Sequence, residues 1–326
     1  MSERQLNASL PRAAMIESYR RWLVDARGLR ESTGKCRARM ALRFLEFLDS
    51  RATALAGASP TDVDAFFAEN ACRWKRLSVR TISGQLRDFL SYAAQEHWCS
   101  KHPGMSIISP RIYRHEGLPY FVPWCKVTEM LRATAKDASR RGLRAHAILM
   151  VLATYGVRSS EVVRMKLKDI DWRKETIFFD RSKGGRSQTL PLAPSVGDAI
   201  LRYIRYARPN ETSSSSLFLK ERVAHGISQH DVYDSVREGL DGVGARAVHL
   251  GPHCIRHSFA THLVNSGSSL KEVSEMLGHR SLRSTAVYAK IDLVSLREVS
   301  DLNWGAVLSK SQNSWTNTWH SVKLLA

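Results

Sequence analysis

Hydrophobic residues recur at helical spacing through residues 11–100, and this pattern predicts four helices. The first two have separate apolar faces, and a Ser59-Pro60 start opens the third, with Pro at a tolerated first-turn position. The fourth runs from about Ser78 to Glu96 and has a regular apolar side. Basic residues lie on or just before its other side: Lys75, Arg76, Arg80 and Arg87. The pattern indicates a small helical domain with a basic face.

The helical spacing stops after residue 100. Residues 101–122 contain prolines and glycines without a period, which is typical of a linker between domains. The last segment, 309–326, is polar and has no period, so we expect a tail that is poorly ordered or docks on a partner. The predicted organisation is therefore a helical domain at 11–100, a linker at 101–122, a larger domain at 123–308 and a tail.

The larger domain mixes two periodicities. Helical spacing recurs at 124–138, 143–156, 159–167 and 194–207, and after a loop at 229–237, 253–266, 269–277 and across Tyr288. Short runs at 170–172, 176–180 and 187–192 read as strands, and a Gly-Gly turn joins the last two as a hairpin. The expected fold class is mostly α with a small antiparallel β-sheet (α+β).

Composition and charge narrow the choice of partner. The 326 residues carry 49 Lys and Arg against 31 Asp and Glu, which gives a formal net charge of +18. Such an excess favours a polyanion, most commonly nucleic acid. A membrane surface is the competing interpretation, but no long apolar stretch supports it.

Cysteine usage indicates a cellular compartment. Five scattered cysteines without a CxxC pair argue against a disulfide framework or a structural zinc site and for a reducing cytosol. The polar N-terminus has no apolar core of a secretory signal. We expect a cytoplasmic protein, on the nucleoid if the host is a bacterium.

Candidate chemistry lies in the larger domain, in a widely spaced set of basic and hydroxyl residues: Arg158, Lys183, His253, Arg256, His279 and Tyr288. Guanidinium groups offer a planar fork for two phosphate oxygens, His exchanges protons near neutrality, and a phenol can act as a nucleophile. His253 and Arg256 are one helical turn apart and share a face. Taken singly, each residue has an ordinary alternative: a surface Arg, an exposed turn Lys, a loop-capping His or a core Tyr.

The strings around these residues are more specific than any one of them. They are ATYGVRSSEVVRMKLKDIDW (153–172), PHCIRHSFATHL (252–263) and MLGHRSLRSTAVY (276–288). An HxxRH string, then LGH, then Tyr nine residues later, with RxxE and a hairpin lysine upstream, resembles the tyrosine recombinases of the phage-integrase and Xer-like family. The resemblance covers about residues 11–308, and its specific motifs lie within 153–288.

The resemblance implies a role for each residue. Tyr288 would attack the DNA backbone, and two arginines, Arg158 and Arg256, would hold the phosphate. Lys183 would protonate the departing 5′-oxygen, although Arg181 and Arg186 lie close enough to confuse that assignment. The supporting roles fall to three residues: Glu161 as an orienting carboxylate, His253 as acid or base and His279 as a hydrogen-bond donor. His257 and His262 are expected to serve packing or local hydrogen bonding instead.

The resemblance also implies architecture and partners. The helical domain would be a core-binding, SAM-like domain that closes with the catalytic domain as a C-shaped clamp around double-stranded DNA, with Lys75, Arg76, Arg80 and Arg87 contacting phosphates. The enzyme would act as a homo-tetramer, or a hetero-tetramer with a paralogue, through a 3′-phosphotyrosyl link and a Holliday junction, without metal, cofactor or ATP. A C-terminal segment after about residue 292 would pass to a neighbouring subunit.

Several functions remain open at this point. A type IB topoisomerase would use the same site only to relax supercoils, and a DNA-binding relative would not exchange strands. A metal-dependent nuclease is disfavoured because the acids near these motifs show no DDE-like spacing. Because the helical domain starts almost at once, we expect no added arm-binding domain, which favours a Xer-like, transposon-borne or integron-like enzyme of a mobile element.

Overall fold

The computed structural model describes residues 11–99, 104, 107–112, 121–181, 186–209, 214–221, 225–246, 249–279 and 281–288. The chain divides into two compact units, Met1–Glu116 and Gly117–Ala326. That division falls inside the predicted 101–122 linker. Three predicted features lie outside the described residues: the Gly-Gly hairpin turn with Lys183, the segment after residue 292 and the 309–326 tail.

The first unit is built from four α-helices in its described part: α1 (Arg12–Arg21), α2 (Glu31–Ser50), α3 (Pro60–Glu69) and α4 (Arg76–Gln95). A π-helical turn, Trp22–Ala26, continues α1, and a 3₁₀ turn, Leu55–Gly57, precedes α3. The predicted start of α3 is confirmed. The Ser59 hydroxyl accepts a hydrogen bond from Asp62 N, and the Asp62 carboxylate accepts one from Ser59 N at 2.9 Å, which satisfies two otherwise unpaired donors of the first turn.

Aromatic side chains dominate the core of the first unit. Tyr19, Phe44 and Phe89 are fully buried, and Phe66 packs edge-on against Phe44 with ring centroids 5.3 Å apart. The apolar side predicted for α4 faces this core. Large rings bury much area per residue, which lets a small helical unit assemble a core.

The second unit is arranged around one buried helix. Its helices are α5 (Trp124–Thr134), α6 (Arg140–Tyr155), α7 (Ser159–Arg164), α8 (Pro194–Tyr206), α9 (Gln229–Asp241), α10 (Pro252–Asn265) and α11 (Leu270–Met276). Helix α6 packs against α5, α8, α9 and α10, and its sequence is apolar on most sides. Short 3₁₀ turns lie at Leu167–Asp169 and Leu282–Ser284.

A three-stranded antiparallel sheet completes this unit and confirms the expected fold class. Its strands, β1 (Ile170–Asp171), β2 (Thr176–Phe179) and β3 (Gln188–Pro191), pair in sequence order, with Ile170 opposite Ile177 and Phe178 opposite Thr189. Along β2, Ile177 and Phe179 are buried while Phe178 is exposed, as the period of a strand requires.

Capping explains two of the predicted helix boundaries that are wrong. Helix α5 ends at Thr134 instead of residue 138, and α6 begins at Arg140 instead of residue 143. The Asp137 carboxylate accepts a hydrogen bond from Ser139 N, and the Ser139 hydroxyl accepts one from Gly142 N at 3.0 Å. These polar residues favour a helix start here because they accept hydrogen bonds from N–H groups at the beginning of α6 that have no partner within the helix. Two other ends also differ, because α7 stops at Arg164 instead of residue 167 and α9 continues from 237 to Asp241.

No helix among the described residues is both long and apolar enough to cross a membrane. The helix predicted across Tyr288 is described only as far as residue 288, where Tyr288 N donates to Thr285 O in a tight turn.

Candidate active site

Helix α10 carries three of the chemically interesting side chains. It begins at Gly251-Pro252, and His253, Arg256 and His257 follow at a spacing that places them along one side. His253 is exposed near the first turn, whereas Arg256 is 4% exposed. The predicted shared face of His253 and Arg256 is therefore part of a regular helix that leads from solvent into the interior.

The guanidinium of Arg256 is held by the ends of two other helices. Its Nη1 donates to Gly156 O at 2.6 Å, and its Nη2 donates to Leu277 O at 2.9 Å. These carbonyls follow α6 and α11, where unpaired C=O groups carry partial negative charge. Burial lowers the pKa of Arg256 to about 10, so the group stays charged at neutral pH.

Glycine is required at both of these helix ends. Gly156 has φ +56°, and a Cβ there would lie 2.4 Å from Cδ1 of Phe259. Gly278 has φ +61°, and a Cβ there would lie 2.1 Å from Nη1 of Arg181. The left-handed conformation and the lack of space both favour glycine, which confirms the predicted helix end before His279.

His279 bridges Arg256 to the segment that ends at Tyr288. Its Nε2 lies 2.8 Å from Arg256 Nη2, and its Nδ1 lies 2.8 Å from the Thr285 hydroxyl. Since Arg can only donate, Nε2 must accept, and a neutral ring then carries its proton on Nδ1. Burial, together with Arg256 and Arg158, lowers the pKa of His279 to about 4, which agrees with a neutral ring.

Arg158 precedes α7 and is tied to its first turn by Glu161. The carboxylate of Glu161 accepts from Arg158 Nη1 at 2.8 Å and from Arg158 N at 3.0 Å. Glu161 is 3% exposed and is the buried carboxylate among the described residues. This pairing fixes the Arg158 side chain, which is the orienting contact that the resemblance implies for Glu161.

Arg181 is a third guanidinium close to this site, and sequence reasoning named it only as an alternative to Lys183. Its side chain is fully buried, its Nη2 donates to Met276 O at 3.0 Å, and its Nε and Nη1 have no hydrogen-bond partner among the described residues. Burial lowers its pKa, and Glu161 opposes that shift. A signal existed in the sequence, because the period of two along β2 places Arg181 on the buried side with Ile177 and Phe179.

Tyr288 is buried, and its hydroxyl lies 2.7 Å from Nδ1 of His257. Its ring belongs to an apolar cluster with Phe259 and Leu277. Burial raises the pKa of Tyr288 to about 12, although Arg256 and Arg158 oppose the rise, so the phenol is protonated at neutral pH. His257 was set aside on sequence grounds, and its contact with Tyr288 spans 31 residues of chain.

The two remaining histidines of α10 differ in setting. Partial burial of the imidazole, together with Arg256 and then Arg158, lowers the pKa of His253, although the residue as a whole is exposed. His262 stacks on Trp124 with ring centroids 4.5 Å apart, which agrees with the packing role expected for it.

The predicted DNA contacts of the first unit divide into two pairs. Arg87 donates to Ile107 O at 2.8 Å, and Arg76 donates to Arg111 O, so both hold the chain that follows α4. Lys75 and Arg80 are exposed. Arg80 also lines an open groove of about 390 Å³ with Arg37 and Arg87. Among the described residues, no cluster of three His, Cys, Asp or Glu is arranged to hold a metal.

The chain resembles known proteins over most of its length. The Phage integrase family model matches residues 125–293. The integrase/recombinase y4rA of Sinorhizobium fredii is 32% identical over 89% of this chain and 70% of its own length. Tyrosine recombinase XerC of Herpetosiphon aurantiacus is 28% identical over 85% of this chain and 90% of its own length.

A solved structure shares the fold. The XerH site-specific recombinase, bound to a palindromic difH substrate in a post-cleavage complex, superposes with a TM-score of 0.70 at 19% identity. The match covers 91% of this chain and 86% of the XerH chain.

Proposed function

The chain belongs to the phage integrase family of tyrosine-type site-specific DNA recombinases, and from that premise we propose that Tyr288 is its nucleophile. Double-stranded DNA is the substrate of such an enzyme. The observation that carries the assignment is a closed set of contacts. Arg256 and His257 are neighbours on α10, and they reach the 279–288 segment at both ends, through His279 and through the Tyr288 hydroxyl.

The arginines hold the phosphate in this proposal. The contacts of Arg256 use three of its five N–H groups, which leaves two donors for nonbridging oxygens. Arg158 presents its remaining donors from the start of α7. Positive charge that is fixed in place before the reaction stabilises the developing pentacoordinate phosphorus without reorganisation.

The reaction exchanges one phosphoester for another. The Tyr288 oxygen forms a bond to phosphorus while the bond from phosphorus to the 5′-oxygen breaks, and this leaves a 3′-phosphotyrosyl link. Lys183 gives its proton to the departing 5′-oxygen, and a second 5′-hydroxyl later attacks the link. Because the ester energy is conserved, the proposed steps need no ATP, and the fixed positive charge of the arginines stabilises the transition state in place of a metal.

His279 must change its hydrogen bonds to contribute. Its Nε2 accepts from Arg256 in the DNA-free protein, so it cannot donate to a phosphate in that state. An anion beside the ring raises the pKa of the imidazole and attracts the Arg256 guanidinium. We therefore propose that the phosphate takes the place of His279 as a partner of Arg256 and that Nε2 of His279 gains a proton.

The wider assembly completes the proposal. The first unit supplies phosphate contacts through Lys75 and Arg80, supported by Arg76 and Arg87, and these give affinity more than sequence selection. Four subunits act on two paired sites, in the cytoplasm and on the nucleoid. Closure of the two units as a clamp stays a prediction.

A nicked suicide substrate in EDTA tests the chemistry. Its cleavage releases a short 5′-hydroxyl strand that diffuses away, so a covalent protein–DNA adduct accumulates. We expect this adduct with the wild-type chain and none with Tyr288→Phe. Adduct formation by Tyr288→Phe would refute the nucleophile, and a strict need for magnesium would refute the metal-free mechanism.

A further inference from the structure

The hydrogen bond between His257 and Tyr288 is the most direct contact that any described side chain makes with the proposed nucleophile. Nδ1 of His257 lies 2.7 Å from the Tyr288 hydroxyl, within the range of a short O–H···N bond. The two rings are tilted by 54°, with centroids 5.6 Å apart. Helix α10 holds the imidazole, and Tyr288 N donates to Thr285 O in the turn that carries the phenol.

The protonation states suit a transfer from the phenol to the imidazole. Burial, His253 and Arg256 lower the pKa of His257 to about 4, so its ring is neutral and can accept a proton. Tyr288 is protonated at neutral pH and must lose its proton as its oxygen bonds to phosphorus. The negative charge of an arriving phosphodiester raises the pKa of the imidazole, and this reduces the difference between the pKa of His257 and that of the Tyr288 phenol.

We propose that His257 is the general base that accepts the phenolic proton of Tyr288 as that oxygen attacks phosphorus. This proposal rests on the assignment of Tyr288 as the nucleophile. In the forward step the proton moves from the Tyr288 oxygen to Nδ1 of His257 as the oxygen–phosphorus bond forms, and the 5′-oxygen leaves with a proton from Lys183. In the second step a 5′-hydroxyl gives its proton to Lys183 as its oxygen bonds to phosphorus, the bond from phosphorus to the Tyr288 oxygen breaks, and the imidazolium returns its proton to that oxygen, so all three residues are restored.

His253 is placed for a different task. It lies one turn earlier on α10, where it is exposed and close to Arg158 and Arg256, the two phosphate-holding arginines. It also lines a cavity of about 380 Å³ together with His257, His249 and Tyr233. A ring on the phosphate side can exchange protons with solvent and substrate, while His257 serves the phenol.

His257→Asn provides the sharpest variant. An Asn amide can keep a hydrogen bond near the position of Nδ1, but it cannot take up the proton. We expect the single-turnover rate of adduct formation to fall by about 10²–10³-fold, the usual size of a general-base contribution, with DNA affinity unchanged. The matched control is His262→Asn, which alters a histidine on the same helix that stacks on Trp124, and we expect it to cleave at nearly the wild-type rate.

A substrate that bypasses the tyrosine separates proton transfer from structural support. Tyr288→Phe is given DNA with a 3′-p-nitrophenyl phosphate and a strand with a free 5′-hydroxyl. Since p-nitrophenolate leaves without a proton and no phenol takes part, adding His257→Asn should leave the rate of joining unchanged. A loss of joining in that double variant would show that His257 supports the fold, and it would overturn the role as base.

The outcomes also separate this proposal from the one on which it rests. If Tyr288→Phe still forms an adduct, the nucleophile is wrong. If Tyr288→Phe forms none while His257→Asn cleaves at the wild-type rate, the nucleophile stands and the general base is wrong.

Discussion

The two units of this protein treat charge in opposite ways. In the first unit the described basic residues lie at the surface or pair there, as Arg37 does with Asp88, and the core is aromatic. In the second unit two arginines, Arg181 and Arg256, are buried, and so is Glu161. Buried charges destabilise a fold unless carbonyls or counter-charges compensate them. In the second unit these destabilising buried charges lie where its proposed chemistry takes place, which indicates that they are kept for function.

The comparison predicts very different effects for two arginine substitutions. Arg256→Gln removes a charge-assisted donor from the transition state and should lower single-turnover cleavage by about 10³-fold. Arg37→Gln removes a guanidinium of the first unit that pairs with Asp88, and cleavage should stay within about threefold of wild type because such partly exposed pairs contribute little. Near-wild-type cleavage by Arg256→Gln would contradict the claim that the buried charges of the second unit serve function while the surface charges of the first do not.

Glycine substitutions test the packing around the buried arginines. Gly278→Ala adds left-handed strain and places a methyl group against Arg181, so we expect a loss of about 2–4 kcal/mol in unfolding free energy. Gly28→Ala in the first unit has a similar φ of +62° but open space, and it should cost about 1–2 kcal/mol. Denaturant titration measures both, and equal losses would mean that Arg181 does not restrict this turn.

A double variant sharpens the same point. Arg181→Met removes the guanidinium that the new methyl group would meet, so Gly278→Ala should destabilise that background less than it destabilises the wild type. Additive losses would contradict the contact.

Sequence patterns predicted most of the helices, the three strands and the pairing of the last two strands, because apolar spacing reports burial directly. They also singled out Arg158, Arg256, His279 and Tyr288 as candidates, because these residues stand in strings of fixed spacing. The contacts of His257 and Arg181 were not predicted, for a physical reason. Spacing shows which side of a helix or strand a residue occupies, but not which distant residue it meets. The His257–Tyr288 contact and the burial of Arg181 under Gly278 both depend on how separate elements pack.

Acid should affect the units at different pH values. His257 and His279 have a pKa of about 4 when folded and about 6.5 when unfolded, so the unfolded chain binds more protons between these values. The second unit therefore loses stability as pH falls from about 6.5 to 4. Carboxyl groups whose pKa the first unit lowers, such as Asp62 and Glu17, lose their contribution only below about 4.5.

Hydrogen exchange on the full chain can resolve this difference. At pH 5, after correction for intrinsic rates, amides of α10 and α11 should lose more protection relative to pH 7 than amides of α2 and α4. His279→Gln should reduce that loss. Greater acid sensitivity in the first unit would contradict the assignment of neutral buried histidines to the second.

The smallest expected effect is on DNA affinity. Arg80→Gln removes one exposed cation from the groove of the first unit and should weaken binding by about threefold at low salt, with the salt slope reduced by about one. The cleavage rate of bound DNA should not change. Binding measured across a salt series checks this, and an unchanged slope would exclude Arg80 from the phosphate contacts.

The most direct test of the central claim is to locate the covalent bond. The adduct on a suicide substrate is digested with protease and nuclease, and the peptide that carries the residual nucleotide is sequenced by mass spectrometry. The account predicts a 3′-phosphonucleotide on Tyr288. A nucleotide on any other residue would contradict it.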